Sequence, residues 1–323
     1  MQNSSEAAAA RVVVLGTGGT IAGTSASADD NVGYTAAQRG VAQLVAAAPA
    51  LAQVALETEQ VAQLDSKDMT YAVWRELAQR IGQHLARTEV AGVVVTHGTD
   101  TLEETAWFLQ RVLAPAKPVV LTAAMRPATA LHTDGPQNLV DAVGVAREPG
   151  ACGVVVAFAG TLHGARDVRK VHPYRVDAFS SGDAGPIARI EEGRLRCLRD
   201  WPDSGGELGV DALPREPAAW PWVEIVTSGV QADGAAVRAL SAAGVRGLVV
   251  ATTGNGTMHA ELESALRAAQ QQGVAVLRAT RCLDGTIVEA TSGQPDALPS
   301  AGDLTPVKAR VELMLSLLRP RSA

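Results

Sequence analysis

Short valine-rich runs recur at 11–15, 92–96, 118–122 and 152–158. Apolar runs of this length and β-branched content predict strands covered on both faces. Between them the period changes to that of a helix. Trp74, Leu77, Ala78, Ile81 and Leu85 fall on one face of 70–87, and Leu102, Ala106, Leu109 and Leu113 repeat that spacing further on. Strand, turn and helix alternate, so the pattern predicts an α/β protein with a mainly parallel sheet.

The alternation stops over 201–221, where Trp201-Pro202-Asp203-Ser204-Gly205-Gly206 and Pro214-Arg215-Glu216-Pro217 are rich in turn formers and hold no period. It resumes with strands at 223–226 and 248–251. A helix follows with Met258, Leu262, Leu266 and Ala269 on one face, then a strand at 274–277. The last helix is expected to start with Thr305 as N-cap and Pro306 as its first residue, burying Val307, Val311, Met314, Leu315 and Leu318. The resulting parse is two α/β domains: residues 1–200, which hold the larger sheet, and a smaller Rossmann-like domain over 222–323, joined by a linker.

Composition narrows the partners. With 323 residues, 47% of them hydrophobic and 19% charged, the chain is an ordinary globular one that can bury a sizeable core. Its 28 basic and 34 acidic residues leave a net charge of −6, without the basic footprint that nucleic acid requires. No apolar run approaches membrane-spanning length, and the first residues lack the charged and apolar regions of a secretory signal. Cys152, Cys197 and Cys282 are odd in number and widely spaced, which argues against a disulfide framework and a closed zinc site. A cytoplasmic setting is expected.

Two loops stand out as candidate chemistry. The first strand runs into Gly16-Thr17-Gly18-Gly19-Thr20-Ile21-Ala22-Gly23, and the second valine run into Thr96-His97-Gly98-Thr99-Asp100-Thr101. Each puts a threonine at a strand tip, where ligands bind in open parallel sheets. A nucleotide-binding role for the first loop fails, because Ile21 stands where a dinucleotide motif needs glycine and the lysine of a phosphate loop is missing. A small hydroxyl on a glycine turn remains, which suits a nucleophile. In the second loop, Asp100 with Glu103, or Thr101 with Glu104, has the spacing of a capping box, so one acid and one hydroxyl have a purely structural reading. Lys170, within Arg166-Asp167-Val168-Arg169-Lys170, reads on spacing alone as part of a solvated face, Tyr34 as a residue packing a turn, and His97 as a hydrogen-bonded structural histidine.

Seven ordered segments resemble those of the bacterial-type L-asparaginase/glutaminase family. They are the two threonine loops, Asp65-Ser66-Lys67-Asp68-Met69, Ala124-Met125-Arg126-Pro127, Asp134-Gly135-Pro136-Gln137-Asn138-Leu139, Arg166-Asp167-Val168-Arg169-Lys170 and Gly254-Asn255-Gly256-Thr257. The resemblance implies an amidohydrolase that turns L-asparagine into L-aspartate and ammonia without metal or organic cofactor. It implies Thr20 as nucleophile, assisted by Tyr34 on a lid over roughly 23–35, and a second group formed by Thr99, Asp100 and Lys170. Ser66 and Asp68 would meet the substrate's α-carboxylate and α-ammonium, and the backbones of Gly19, Gly98 and Ala124 its amide. The resemblance also implies a homodimer or homotetramer in which Asn255 serves the partner's site.

Two departures from the family pattern appear. Lys67 stands where most relatives carry Gln or Ser, beside Ser66, which leaves asparagine against glutamine preference open. The stretch Ile287-Val288-Glu289-Ala290-Thr291-Ser292-Gly293 corresponds to the one that supplies an intersubunit acid, with Glu289 as the candidate. Two rival functions are an ammonia-releasing amidotransferase subunit, whose relatives carry an extra N-terminal domain, and an amino-acid sensor that kept the pocket without turnover.

Overall fold

The computed structural model describes residues 10–202, 208–289 and 297–319. The chain divides into two units between Val210 and Asp211. In the first, strands β1 (Arg11–Gly18), β2 (Leu56–Leu64), β3 (Val90–Thr96), β4 (Val119–Thr122) and β5 (Val154–Phe158) lie parallel in the order β5-β4-β3-β1-β2. Beyond β5 the sheet continues antiparallel through β6 (Thr161–Gly164), while β7 (Arg169–Lys170) and β8 (Phe179–Ser180) form a separate short hairpin. Strands β9 (Ala188–Glu191) and β10 (Arg194–Cys197) close the far edge.

Helices cover both faces, which is why the valine runs are buried without alternation. Val12, Val14, Val94, Val120 and Val155 pack in one core with Val41 and Leu44 of α1 (Val41–Ala46). The helices α2 (Tyr71–Leu85) and α3 (Leu102–Leu113) pair with each other, Trp74 stacking on Phe108 at 4.6 Å between ring centroids. The Trp74 indole N–H donates to Thr105 Oγ1 (2.8 Å), so the large ring is buried with its polar atom satisfied. Helix α4 (Gly135–Ala146) brings Leu139, Ala142 and Val143 to the core that holds α1. Each fully buried valine or leucine here contributes about 1.5–3 kcal/mol by removal from water.

The second unit is a three-stranded parallel sheet, β11 (Val223–Thr227), β12 (Gly247–Thr252) and β13 (Ala275–Thr280), with α5 (Ala235–Ala242), α6 (Ala260–Gln271) and α7 (Pro306–Ser316). Leu248, Val250, Val276, Val237, Leu262 and Leu266 form its core. Helix α7 starts at Pro306 as expected, but its buried stripe differs. Lys308, Val311, Met314 and Leu315 are buried, whereas Val307 and Leu318 are half-buried, so the buried arc starts at position 308 rather than 307. The Thr305 side chain makes no capping bond, and proline, which brings no N–H, starts the helix without one. Of the linker, residues 203–207 lie outside the described residues.

Candidate active site

Strands β1, β3 and β4 are parallel neighbours, so their carboxyl ends share one edge of the sheet, and both threonine loops leave from that edge. Gly16 pairs with Thr96, and Thr17 Oγ1 donates to the Thr96 carbonyl (2.9 Å), locking the two strand tips together. Gly18 and Gly19 hold φ of 105° and 81°, the left-handed region that favours glycine, and turn the chain into a 3-10 turn over Thr20–Ala22. A Cβ on Gly19 would overlap Gly98 and sit 2.8 Å from the carbonyl carbon of His97. A Cβ on Gly98 would lie 2.7 Å from Ser66 Cβ and 3.1 Å from Gly19 Cα. The two threonine loops therefore meet at backbone contact, with the Ser66 side chain packed on Gly98, and side chains at either glycine would force them apart.

Thr20 is buried, and its Oγ1 lies 2.7 Å from Tyr34 Oη. Tyr34 reaches it because 23–35 doubles back through a two-bond bridge between Thr24 and Thr35 (2.9 and 2.8 Å). Gly23 gives the ring room, since a Cβ there would stand 2.9 Å from Tyr34 Cδ2.

The second group assembles from the loop between β3 and α3 and from β7. Lys170 Nζ donates to Thr99 Oγ1 (2.8 Å) and to Asp100 Oδ1 (2.6 Å). Its side chain is 18% exposed against 53% for Asp100, which overturns the solvated-face reading of this charged run. The capping-box expectation is also corrected. The Thr101 side chain makes no cap to α3 and instead donates to the Ser66 carbonyl (2.8 Å), while the Asp100 carboxylate takes the lysine. Glu103, the acid in one of those boxes, accepts the Lys170 backbone N–H at 3.2 Å, a role that spacing along a helix does not reveal.

Ser66 opens a 3-10 turn, Ser66–Asp68, and its Oγ accepts the backbone N–H of Asp100 (3.2 Å), so this buried hydroxyl adjoins the second threonine loop. Lys67 and Asp68 pair with each other at the surface, 60% and 63% exposed. The Asp68 hydrogen bond raises the Lys67 pKa, with the charges of Asp68, Asp65 and Asp100 adding to it. Ala124 is fully buried just past β4. The peptide N–H groups of Met125 and Arg126 that follow it donate to the two oxygens of Asp134 (2.9 and 3.0 Å). Burial pushes the Asp134 carboxyl up despite these donors. The resemblance placed Asp134 within a motif without a role; the signal for one was its position just before the helix that opens at Gly135.

His97 is fully buried, donates from Nδ1 to the Gly98 carbonyl (2.7 Å), and is pushed down to about pKa 4 by burial, so it is a neutral structural group. In the second unit, Asn255 exchanges two hydrogen bonds with the Val288 backbone (2.9 and 2.7 Å), and Glu289 forms a two-oxygen pair with Arg278 Nη2 (2.8 and 3.1 Å). Residues 290–293 of the stretch that begins at Ile287 lie outside the described residues. A cavity of about 1020 Å³ runs along α4, lined by Leu51, Val140, Asp141, Ile190 and Leu195, with neither catalytic-candidate threonine in its wall.

Comparisons with known proteins identify the family of the chain. A family model described as "Asparaginase, N-terminal" matches residues 11–203, and one described as "Glutaminase/Asparaginase C-terminal domain" matches 222–323. A glutaminase-asparaginase of Pseudomonas fluorescens biotype A is 37% identical over 325 residues, covering 97% of this chain and 88% of the relative. L-asparaginase 2 of Escherichia coli (strain K12) is 36% identical, covering 96% of this chain and 89% of the relative. A crystal structure of a probable cytoplasmic L-asparaginase from Campylobacter jejuni superposes with a TM-score of 0.89 at 37% identity, over 97% of this chain and 96% of that one. With both domains matched and relatives above a third identical across nearly its whole length, the chain belongs to the asparaginase family.

Proposed function

We propose that this enzyme hydrolyses L-asparagine to L-aspartate and ammonia through an acyl-enzyme on Thr20, with glutamine as a minor substrate. The observation that carries the reading is the backbone contact of Gly19 with Gly98. It sets the Thr20–Tyr34 pair and the Thr99–Lys170–Asp100 cluster on adjoining loops. Thr20 Oγ1 gives up its proton, with Tyr34 Oη as the adjacent acceptor, and bonds to the side-chain amide carbon. The carbon–nitrogen bond breaks as the nitrogen takes up a proton and leaves as ammonia. Water then adds to the ester, releasing aspartate and restoring the Thr20 hydroxyl. Lys170 acts as base toward Thr99 or that water, and Asp100 fixes Lys170 and the substrate's ammonium.

Ser66 and Asp68 take the α-carboxylate and α-ammonium, with Lys67 beside them, and the backbones of Gly19, Gly98 and Ala124 line the amide. The working form is a homodimer or homotetramer to which Asn255, held by Val288, contributes across subunits, with Glu289 as the accompanying acid. The three free cysteines fit a cytoplasmic location, the word in the name of the Campylobacter jejuni relative, although a Haemophilus influenzae relative is named periplasmic. The deciding experiment measures ammonia release from asparagine and glutamine side by side, with no metal added, for wild type, Thr20→Ala and Thr99→Ala. Turnover of asparagine in the wild type and its loss in both variants is expected. Stoichiometric asparagine binding without ammonia would instead make the protein a sensor.

A further inference from the structure

Residues 23–35 carry Tyr34 to Thr20, yet most of 25–33 is exposed, with Val32 77% exposed, so apolar burial does little to hold this stretch in place. Apart from its bonds to Thr20, four hydrogen bonds tie it to one short segment, 128–131. Ala128 N–H donates to the Gly23 carbonyl (2.9 Å) and Leu131 N–H to the Ala28 carbonyl (3.1 Å). Between them, Ser25 N–H donates to Thr129 Oγ1 (2.9 Å), and the hydroxyls of Ser25 and Thr129 are 3.0 Å apart.

The proton positions follow from the partners. Ser25 Oγ donates to the Ser27 carbonyl (2.7 Å), which uses its one proton, so Thr129 must donate to Ser25 Oγ while accepting from Ser25 N–H. Thr129 thus closes a two-bond latch in a single orientation. The segment that bears it is anchored from below. Ala130 is buried and its N–H donates to the Pro127 carbonyl (2.9 Å), and the preceding Met125 and Arg126 peptides are held by Asp134.

We propose that Thr129 is a positioning residue for Tyr34. Through Ser25 its hydroxyl holds 23–35 in the arrangement that sets Tyr34 Oη against Thr20 Oγ1, and so determines how much of the free enzyme is competent. The inference rests on the reading of Thr20 and Tyr34 as catalytic, and its test separates the two. Hydrogen exchange at the Thr24 and Thr35 amides, which form the bridge at the base of the lid, reads the latch with no substrate present. Steady-state ammonia release from asparagine reads Tyr34.

Thr129→Val keeps the side-chain shape but can neither donate nor accept. Loss of two hydrogen bonds should speed exchange at both amides about tenfold, and kcat/KM should fall with the competent fraction. Thr129→Ser, which retains the hydroxyl, should restore both. Ser25→Ala loses the hydroxyl-to-hydroxyl bond and the Ser25 bond to the Ser27 carbonyl but keeps the backbone bond to Thr129, and should exchange at an intermediate rate, which keeps the test open if Thr129→Val folds poorly. Wild-type exchange in both latch variants overturns the latch. Faster exchange with unchanged kcat/KM overturns the positioning role, and a fully active Tyr34→Phe enzyme overturns the catalytic reading of Tyr34 and that role with it.

Discussion

Lys170 and Thr99, 71 positions apart in sequence, are joined by a 2.8 Å hydrogen bond from Nζ to Oγ1, and the same ammonium reaches Asp100 at 2.6 Å. If Lys170 moves protons for this pair, Lys170→Met should lower kcat by about 10²–10⁴-fold, the range of a lost general acid or base. Lys170→Arg should not restore it, because a guanidinium stays charged at working pH. Ammonia-release kinetics beside a thermal melt check this; near-wild-type kcat in the methionine variant would remove Lys170 from the mechanism.

Thr20 and Tyr34 predict a different signature. Thr20→Ala should retain ligand binding, measured by calorimetry with L-aspartate, while turnover falls to background. Acid-quenched wild type mixed with asparagine should show a mass increase on the peptide containing Thr20. An adduct found on Thr99 instead would exchange the two threonines' duties.

The contact between Gly19 and Gly98 predicts a stability effect at a site that looks purely functional. Gly98→Ala drives a methyl into Ser66 and toward Gly19, and Gly19→Ala adds a strained φ of 81° to its overlap with Gly98. Each should destabilise the protein by about 1–3 kcal/mol, with Gly19→Ala the worse, as overpacking and backbone strain do elsewhere. Urea unfolding midpoints read this directly. Wild-type midpoints would mean that the loops are not in contact.

Burial of His97 predicts a pH dependence of stability. Its pKa is lowered from 6.5 to about 4, so between those values the unfolded chain binds a proton that the native state refuses. Stability is therefore full above about pH 6.5 and declines as pH falls toward 4, by about 3 kcal/mol at one pKa unit per 1.36 kcal/mol. His97→Asn, which can still donate to the Gly98 carbonyl, should flatten that slope. Urea midpoints at pH 7 and pH 5 for both proteins test it, and an unchanged slope would show that His97 titrates normally.

Lys67 and Asp68 are exposed and bonded to each other, so Lys67→Gln should leave the thermal midpoint where it is. If Asp68 takes the substrate's ammonium as proposed, freeing it of its lysine should shift KM for asparagine, for glutamine or for both. Identical kinetics with both substrates would place Lys67 away from the binding surface.

The two-unit α/β organisation was legible in the sequence because strand and helix periods are local. Val12 to Leu15 and Val93 to Val95 announce buried strands wherever the chain later puts them, and Trp74, Leu77, Ala78 and Ile81 mark a helix face in the same way. Both threonine loops were visible too, as small residues at strand tips. The charged run ending at Lys170 misled by itself, since local composition does not reveal that an ammonium is turned inward. The capping boxes misled for a related reason: Asp100, Thr101 and Glu103 have helix-start spacing but are claimed by Lys170, Ser66 and the Lys170 backbone.

The sequence by itself thus determined the elements, their alternation, and which residues have chemistry to offer. Tertiary structure alone decided which of them meet. The order β4-β3-β1 put the two loops side by side, Gly19 and Gly98 let them touch, and the β7–β8 hairpin returned Lys170 to Thr99. Periodicity is a property of neighbours along the chain, whereas a catalytic cluster depends on strand order and close backbone approach, which are fixed only when the whole sheet is packed.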